Sequence, residues 1–199
     1  MIQIDDAGWG SLLLGVIIAG YRPETSKFIC TEIPVEMFQG ENFSKEAYRK
    51  GAVKAAEYVL SKLDYHQNEH IEICTGYVLD GIRGYLSAKG LCYKSGKITG
   101  PLQEKIEMQM LENLKKIGLK DLDYETVTEK HGLFFWKSLR WLKGGDVNGR
   151  VLSDREKFAK TGWPTYHIWA LMPYERARVE AKRYKNNRRR GFYGVGSSY

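Results

Sequence analysis

Met1-Ile2-Gln3-Ile4-Asp5-Asp6-Ala7-Gly8-Trp9-Gly10-Ser11-Leu12-Leu13-Leu14-Gly15-Val16-Ile17-Ile18-Ala19-Gly20-Tyr21 is the stretch that decides how this chain folds. It reads as a strand over Ile2 to Asp6, a tight turn over Ala7 to Gly10, and a second strand from Ser11 through Tyr21. Alternation puts Ile2 and Ile4 on one face of the first strand and Gln3 and Asp5 on the other. Asp5 then projects beside the layer that Ile4 helps to build, and Asp6 joins it only if the turn starts there. The glycines on either side of Trp9 mark a turn that needs positive φ or close backbone approach, and Leu12 to Ala19 has the length of a fully buried strand. Taken alone, the segment is also what any acidic strand end before a turn looks like.

Further along, Lys27 to Pro34 alternates as a third strand, which completes an antiparallel three-strand meander. Between Ser44 and Lys62, Ala52, Ala55, Ala56, Val59 and Leu60 recur at helical spacing, and Leu63 continues the row, so an amphipathic helix covers one sheet face. Ile71 to Leu79 offers a fourth strand, ending at Asp80-Gly81. A glycine-containing loop over Ile82 to Gly100 follows, and Pro101 opens a helix to about Gly118. On that helix Leu102, Ile106, Met110, Leu111, Leu114 and Ile117 share one arc. Glu107 falls inside the arc, Glu104 at its edge and Glu112 opposite. A carboxylate on an apolar face is costly unless it is paired or binds a cation, so Glu107 meets either a neighbouring Lys or Arg or a metal ion.

Leu133 to Leu142, rich in aromatic residues, reads as a buried helix. Ser153 to Glu156 has capping-box spacing for a short helix stopped by Gly162 and Pro164. A last helix from about Tyr166, kinked near Pro173, leads into a basic end, and Gly191 to Tyr199 reads as flexible.

The 199 residues suit one domain, taken as residues 1–175, with a tail over residues 176–199. Of 31 Lys/Arg and 24 Asp/Glu, eight and one fall in the tail, leaving 23 of each in the body. The basic character is therefore a localised +7 patch that includes Arg188, Arg189 and Arg190, and it points to a polyanion partner unless it is simply a solvated end. The Leu12 to Gly20 run is too short to span a bilayer, and Asp5 and Asp6 stand where a signal peptide would be positive, so no membrane role and a cytoplasmic location are expected. Cys30, Cys74 and Cys92 are scattered and read as buried, inert thiols.

Three carboxylate positions stand in order: Asp5/Asp6, Asp80 and Glu107. A parallel fourth strand beside the first would gather them at one sheet edge. Gathered acids repel one another, and Mg²⁺ or Mn²⁺, bound through oxygen, relieves that repulsion. A pair of such ions about 3.5–4 Å apart activates water and stabilises the leaving oxygen of a phosphodiester.

Ile4-Asp5-Asp6-Ala7-Gly8-Trp9-Gly10-Ser11-Leu12 resembles the Ile-Asp-Glu-Ala-Gly-Arg-Gly-Pro-Leu opening of the type 2 ribonucleases H. Val78-Leu79-Asp80-Gly81 is similar to that family's strand-ending Asp-Gly, and Gly162-Trp163-Pro164-Thr165, with His167 and Ala170-Leu171 beyond, is similar to its Gly-Tyr-X-Thr segment. The resemblance implies an α/β, ribonuclease H-like fold: a mixed central sheet, the meander plus parallel strands, flanked by helices. It also implies metal-dependent phosphodiester hydrolysis with Asp5, Asp6 and Asp80 as metal-binding catalytic acids. The family's fourth acid lies on a helix after Asp80; Glu107 takes that place by its facing, with Glu104 second. Trp9 stands where the family has arginine, and Trp163 where it has tyrosine. Those family residues help to read a ribonucleotide, so the expected substrate broadens to RNA/DNA hybrid or branched, structured DNA. Trp9 and Gly10, Trp163 and the three tail arginines are the expected nucleic-acid contacts, a turn tryptophan being suited to stack a base or to pack on its own domain. His131 and His167 read as structural. The competing class is a nucleic-acid-binding protein on the same scaffold with a decayed metal site. A sugar-kinase or actin-like ATPase would need a second copy of the hairpin, which the chain does not show.

Overall fold

The computed structural model describes the backbone of residues 1–192 and side chains as far as Arg188. Five strands, β1 (Ile2–Ala7), β2 (Val16–Arg22), β3 (Lys27–Ile33), β4 (Ile71–Ile73) and β5 (Tyr93–Ser95), form one mixed sheet in the order β3-β2-β1-β4-β5. β1 pairs antiparallel with β2 and β2 with β3, while β1 and β4, and β4 and β5, run parallel. The registers Asp5 to Ala19 and Asp6 to Ile18 place the two acids at the centre of the sheet, on its two opposite faces.

Each face carries its own core. Ile2, Ile4, Val16 and Ile18 pack under α2 (Ala47–Lys62), which follows the short α1 (Gly40–Ser44), and under α3 (Asp80–Ala88). On the other face Ala7, Ile17, Ala19 and Tyr21 meet Leu102, Ile106, Met110 and Leu114 of α4 (Pro101–Lys116). This second layer is extended by α5 (Tyr124–Thr128), started by the Asp123 side chain accepting the Thr126 N–H at 2.7 Å, and by α6 (His131–Leu142). The chain continues through α7 (Ser153–Glu156), α8 (Tyr166–Leu171) and α9 (Tyr174–Phe192). Among the described residues no helix is long and apolar enough to cross a membrane.

Several expectations need correction. The second strand starts at Val16, not Ser11. Leu13 instead bridges Ala159, and Leu14, at φ 62, donates its N–H to the Phe158 carbonyl at 2.7 Å, so the first part of the apolar run pairs with a segment near the C-terminus. The expected helix from Ser44 begins at Ala47, because Glu46 adopts φ 53 and breaks it from α1. The fourth strand ends at Ile73. After the Cys74 N–H bonds the Ile4 carbonyl, the chain turns through a 3₁₀ segment at Tyr77–Leu79, and Val78 and Leu79 are apolar because they are buried, not because they pair. Asp80 therefore opens a helix where a strand end was expected.

The presumed loop over Ile82 to Gly100 contains α3, whose buried Ile82 and Leu86 stand four apart, and the three-residue edge strand β5. Ser153 is the first helical residue and not a capping residue, since Leu152 precedes it without a side-chain cap. The break at Pro173 is present, but the basic segment is helical: α9 sinks Ala177 and Ala181, four apart, into the body and carries its backbone to Phe192. Of the expected flexible end, Gly191 and Phe192 are helical and Tyr193 to Tyr199 lie outside the described residues. Cys92 is exposed and Cys30 and Cys74 only partly buried.

Candidate active site

Asp5 is 7 % exposed. Its Oδ1 accepts the Asp6 backbone N–H at 2.8 Å, and the Cys74 thiol lies beside the carboxylate as a donor. Burial raises its pKa above the usual carboxylate range and the charge of Glu107 adds to the rise, while the two donors oppose it. Glu107 reaches this neighbourhood from the second turn of α4, through the facing that its place in the apolar arc predicts. Gln103, one turn earlier, donates to Oε1 at 3.2 Å, and the Tyr124 hydroxyl donates to Oε2 at 2.7 Å. Both partners are neutral, and among the described residues Glu107 forms no ion pair, which removes the expected alternative of a Lys or Arg partner. Glu104, the second choice, is exposed and does not line the cleft.

That cleft has a volume of about 380 Å³ and is lined among others by Asp5, Asp6, Gly10, Gln103, Glu107 and His131. His131 thus sits at the rim with its side chain exposed; His167 is exposed elsewhere.

Asp6 faces the other way. A Cβ on Gly76 would lie 2.2 Å from its Oδ1, so the loop after β4 closes over it only because residue 76 is glycine. Burial, then the charge of Asp5, push its pKa up to about 7, opposed by Lys160 and Arg83. Lys160 is the residue beside the cleft that the sequence pattern does not mark. It is fully buried, donates to the carbonyl of Gly8, and lies 3.4 Å from that of Trp9. The rings of Phe38 and Trp163 flank its ammonium at 5.1 and 5.5 Å. Burial brings its pKa down to about 7 against the opposing pull of Asp6 and Glu32. A lone lysine in Phe158-Ala159-Lys160 gives no periodic signal, and the contact spans 152 residues.

Asp80 stands apart. At the start of α3 its side chain is 39 % exposed and pairs with Arg83, which also donates to the carbonyls of Cys74 (2.6 Å) and Gly76 (3.2 Å). The expected gathering of Asp5, Asp6, Asp80 and Glu107 is thus realised for Asp5 and Glu107, with Asp6 at the same cleft from the opposite face. Among the described residues no three His, Cys, Asp or Glu side chains form a group able to hold a metal ion.

Gly8, at φ 95, and not Gly10, supplies the positive φ of the turn. Trp9 is not free to swing: its ring lies 5.2 Å from Tyr48, 5.4 Å from Tyr77, 6.1 Å from Phe38 and 6.4 Å from Phe43. Of its two expected readings, packing on its own domain is the one realised. Gly10 is exposed, Trp163 is half-buried over Lys160, Arg188 is exposed on α9, and the side chains of Arg189 and Arg190 lie outside the described residues.

No protein-family model matches the chain, and no curated protein matches it. Among solved structures, the catalytic core domain of BIV integrase is similar over 93 % of this chain and 97 % of its own, with 15 % identity and a TM-score of 0.32.

Proposed function

We propose that this chain is a divalent-metal-dependent endonuclease of the ribonuclease H-like kind, hydrolysing phosphodiester bonds in RNA/DNA hybrid or structured DNA. One observation carries the reading: Asp5 and Glu107, from the central strand and the facing helix, share a cleft and meet no cation there among the described residues. Two unneutralised carboxylates in one cleft repel one another, and the charge of Glu107 adds to the rise in the Asp5 pKa that burial mainly causes. The sheet order with its antiparallel and parallel halves agrees with the fold implied by the opening motif.

The donor set fits a hard divalent cation, since both groups are oxygen ligands and their other partners are neutral. Mg²⁺ or Mn²⁺ bound there would supply Lewis-acid activation of water and charge stabilisation at the phosphodiester. The chain's own residues prepare for this in distinct ways. The Asp6 N–H holds one oxygen of Asp5, and Gln103 and Tyr124 orient Glu107. Lys160 anchors the Gly8-Trp9 turn that forms one wall. Asp80 would join the set only after exchanging Arg83, so the two-metal site belongs to the proposal in its fullest form. Helix α9, with the basic residues of the segment 176–199, would add affinity for the polyanion.

The neutralisation of Asp80 by Arg83 favours a second reading, a nucleic-acid-binding protein without catalysis. The test is cleavage of labelled hybrid and branched duplex in Mg²⁺ and in Mn²⁺. Under the nuclease reading Asp5→Asn and Glu107→Gln each lose at least 100-fold in rate while Glu104→Gln loses little. Wild-type protein that binds both substrates and cuts neither establishes the second reading instead.

A further inference from the structure

Helix α6 connects two different surfaces. Its first turns, at His131, Phe134 and Phe135, line the acidic cleft, and its last turns, at Trp136, Lys137, Arg140 and Trp141, line a separate open groove of about 400 Å³. The far wall of that groove comes from the segment after α4, with Lys120 and Asp121, and from Arg155. Four cations therefore stand against one carboxylate, and among the described residues none of the four forms an ion pair.

A purely structural account assigns these cations to the carbonyls at the ends of α4 and α6, where the helix dipoles are negative. It covers part of what is seen. Lys137 donates to the Asp121 carbonyl, Arg140 Nε to that of Gly145 at 3.3 Å, and Arg155 to that of Trp141. Arg140 keeps its remaining N–H donors, and no hydrogen bond from the exposed Lys120 side chain is formed among the described residues. The two guanidinium groups also stack on indole rings, Arg140 over Trp136 at 5.3 Å and Arg155 over Trp141 at 4.8 Å. A guanidinium held over an aromatic face keeps N–H donors for planar or tetrahedral oxyanions.

We propose that this groove binds the phosphodiester backbone of the nucleic acid whose cleavage is assigned above to Asp5 and Glu107. The inference rests on that reading for its partner, while its geometry is independent of it. From His131 to Trp141 the helix rises about 15 Å, and at 100° per residue its groove-lining residues project from the side opposite to its cleft-lining ones. A backbone seated on Lys120, Lys137 and Arg140 would thus be gripped away from the bond at the carboxylates. The repulsion of the acidic cleft for a polyanion would be offset by a cationic hold on a separate surface, and the body, with 23 basic and 23 acidic groups, would have no need of net charge to bind.

The test is fluorescence anisotropy of labelled 20-mers in EDTA, as single-stranded DNA, duplex DNA and RNA/DNA hybrid, across a salt series. Replacing Lys120, Lys137 and Arg140 with glutamine should weaken binding at least tenfold and flatten the slope of log K against log salt by roughly 2–3 units on duplex. An equal loss on all three polymers shows phosphates alone in the groove; a larger loss on single strands shows that the indole rings also stack bases. Because Lys137 and Arg140 hold neighbouring carbonyls, Lys120→Glu serves if the triple variant does not fold. It should weaken binding about fivefold with an unchanged melting temperature. Unchanged affinity and slope in whichever variant folds overturn the proposal, as does a wild-type protein that binds none of the three polymers, which would leave the groove to an acidic protein surface. Neither result depends on cleavage, so loss of the groove and loss of the nuclease reading are told apart.

Discussion

The hydroxyl of Tyr124 donates a 2.7 Å hydrogen bond to the carboxylate of Glu107, and the same bond, ahead of burial, pushes the phenol's pKa up to about 12. A phenol that stays protonated orients the carboxylate without cancelling its charge, which an arginine in that place would do. Tyr124→Phe should therefore weaken Mn²⁺ binding about fivefold, the equivalent of about 1 kcal/mol for one hydrogen bond, with the melting temperature nearly unchanged. Calorimetric titration of Mn²⁺ measures it. Unchanged or tighter binding would show that the phenol does not orient Glu107.

Asp80 gives the sharpest ranking test, because the opening motif groups it with Asp5 whereas the structure pairs it with Arg83. If that pairing persists in the working state, Asp80→Asn keeps at least a tenth of the wild-type rate while Asp5→Asn loses at least 100-fold. Equal, complete losses in single-turnover cleavage would mean that the 74–80 loop rearranges to bring Asp80 in.

Lys160 should matter more to folding than its single charge suggests. Lys160→Met removes the buried ammonium that donates to the Gly8 carbonyl and, with Arg83, offsets the charge of Asp6, which is expected to cost about 1–3 kcal/mol. In the double variant Asp6→Asn, Lys160→Met the losses should be less than additive. Urea denaturation of the four proteins gives the coupling; strict additivity would show that the two groups do not sense one another.

How much of this was legible follows from which contacts are local. The alternation of Ile2, Ile4 and Asp5 and the inward place of Glu107 on α4 follow from periods of two and 3.6, and both were readable. Asp80 was misplaced because Val78 and Leu79 look like strand residues when only burial is at work. The role of Gly76, whose missing Cβ makes room for Asp6, depends on packing between separate segments. Lys160 lies in a stretch without period, and its partners are backbone carbonyls that no side-chain pattern marks. The helical course of the basic segment did have a signal, Ala177 and Ala181 at a spacing of four, which the charge count hid.

Away from the cleft, Arg22 donates to Glu69 at 2.9 Å and to the Leu63 carbonyl at 2.8 Å, joining the end of β2 to the approach to β4. The guanidinium is the main reason that the Glu69 pKa falls to about 2. A carboxyl whose folded pKa is depressed stabilises the fold above its unfolded pKa, near 4.5, and that contribution is lost as pH falls towards 2. Glu69→Gln should therefore lower the melting temperature at pH 6 and flatten its decline between pH 5 and pH 2. Parallel wild-type and variant curves over that range would disprove the assignment.

Asp5 and Asp6 are covalent neighbours that lie on opposite faces of the central strand, opposite Ala19 and Ile18. A slip of β1 by one residue against β2 would exchange their faces and at once turn Ile2 and Ile4 away from α2. A misassembled molecule would therefore lose Ile2 and Ile4 from one core together with its chemistry, so it could not persist as a stable, inactive impostor. Proofreading of the site is thus delegated to the folding equilibrium: whatever survives as folded protein has Asp5 turned towards Glu107.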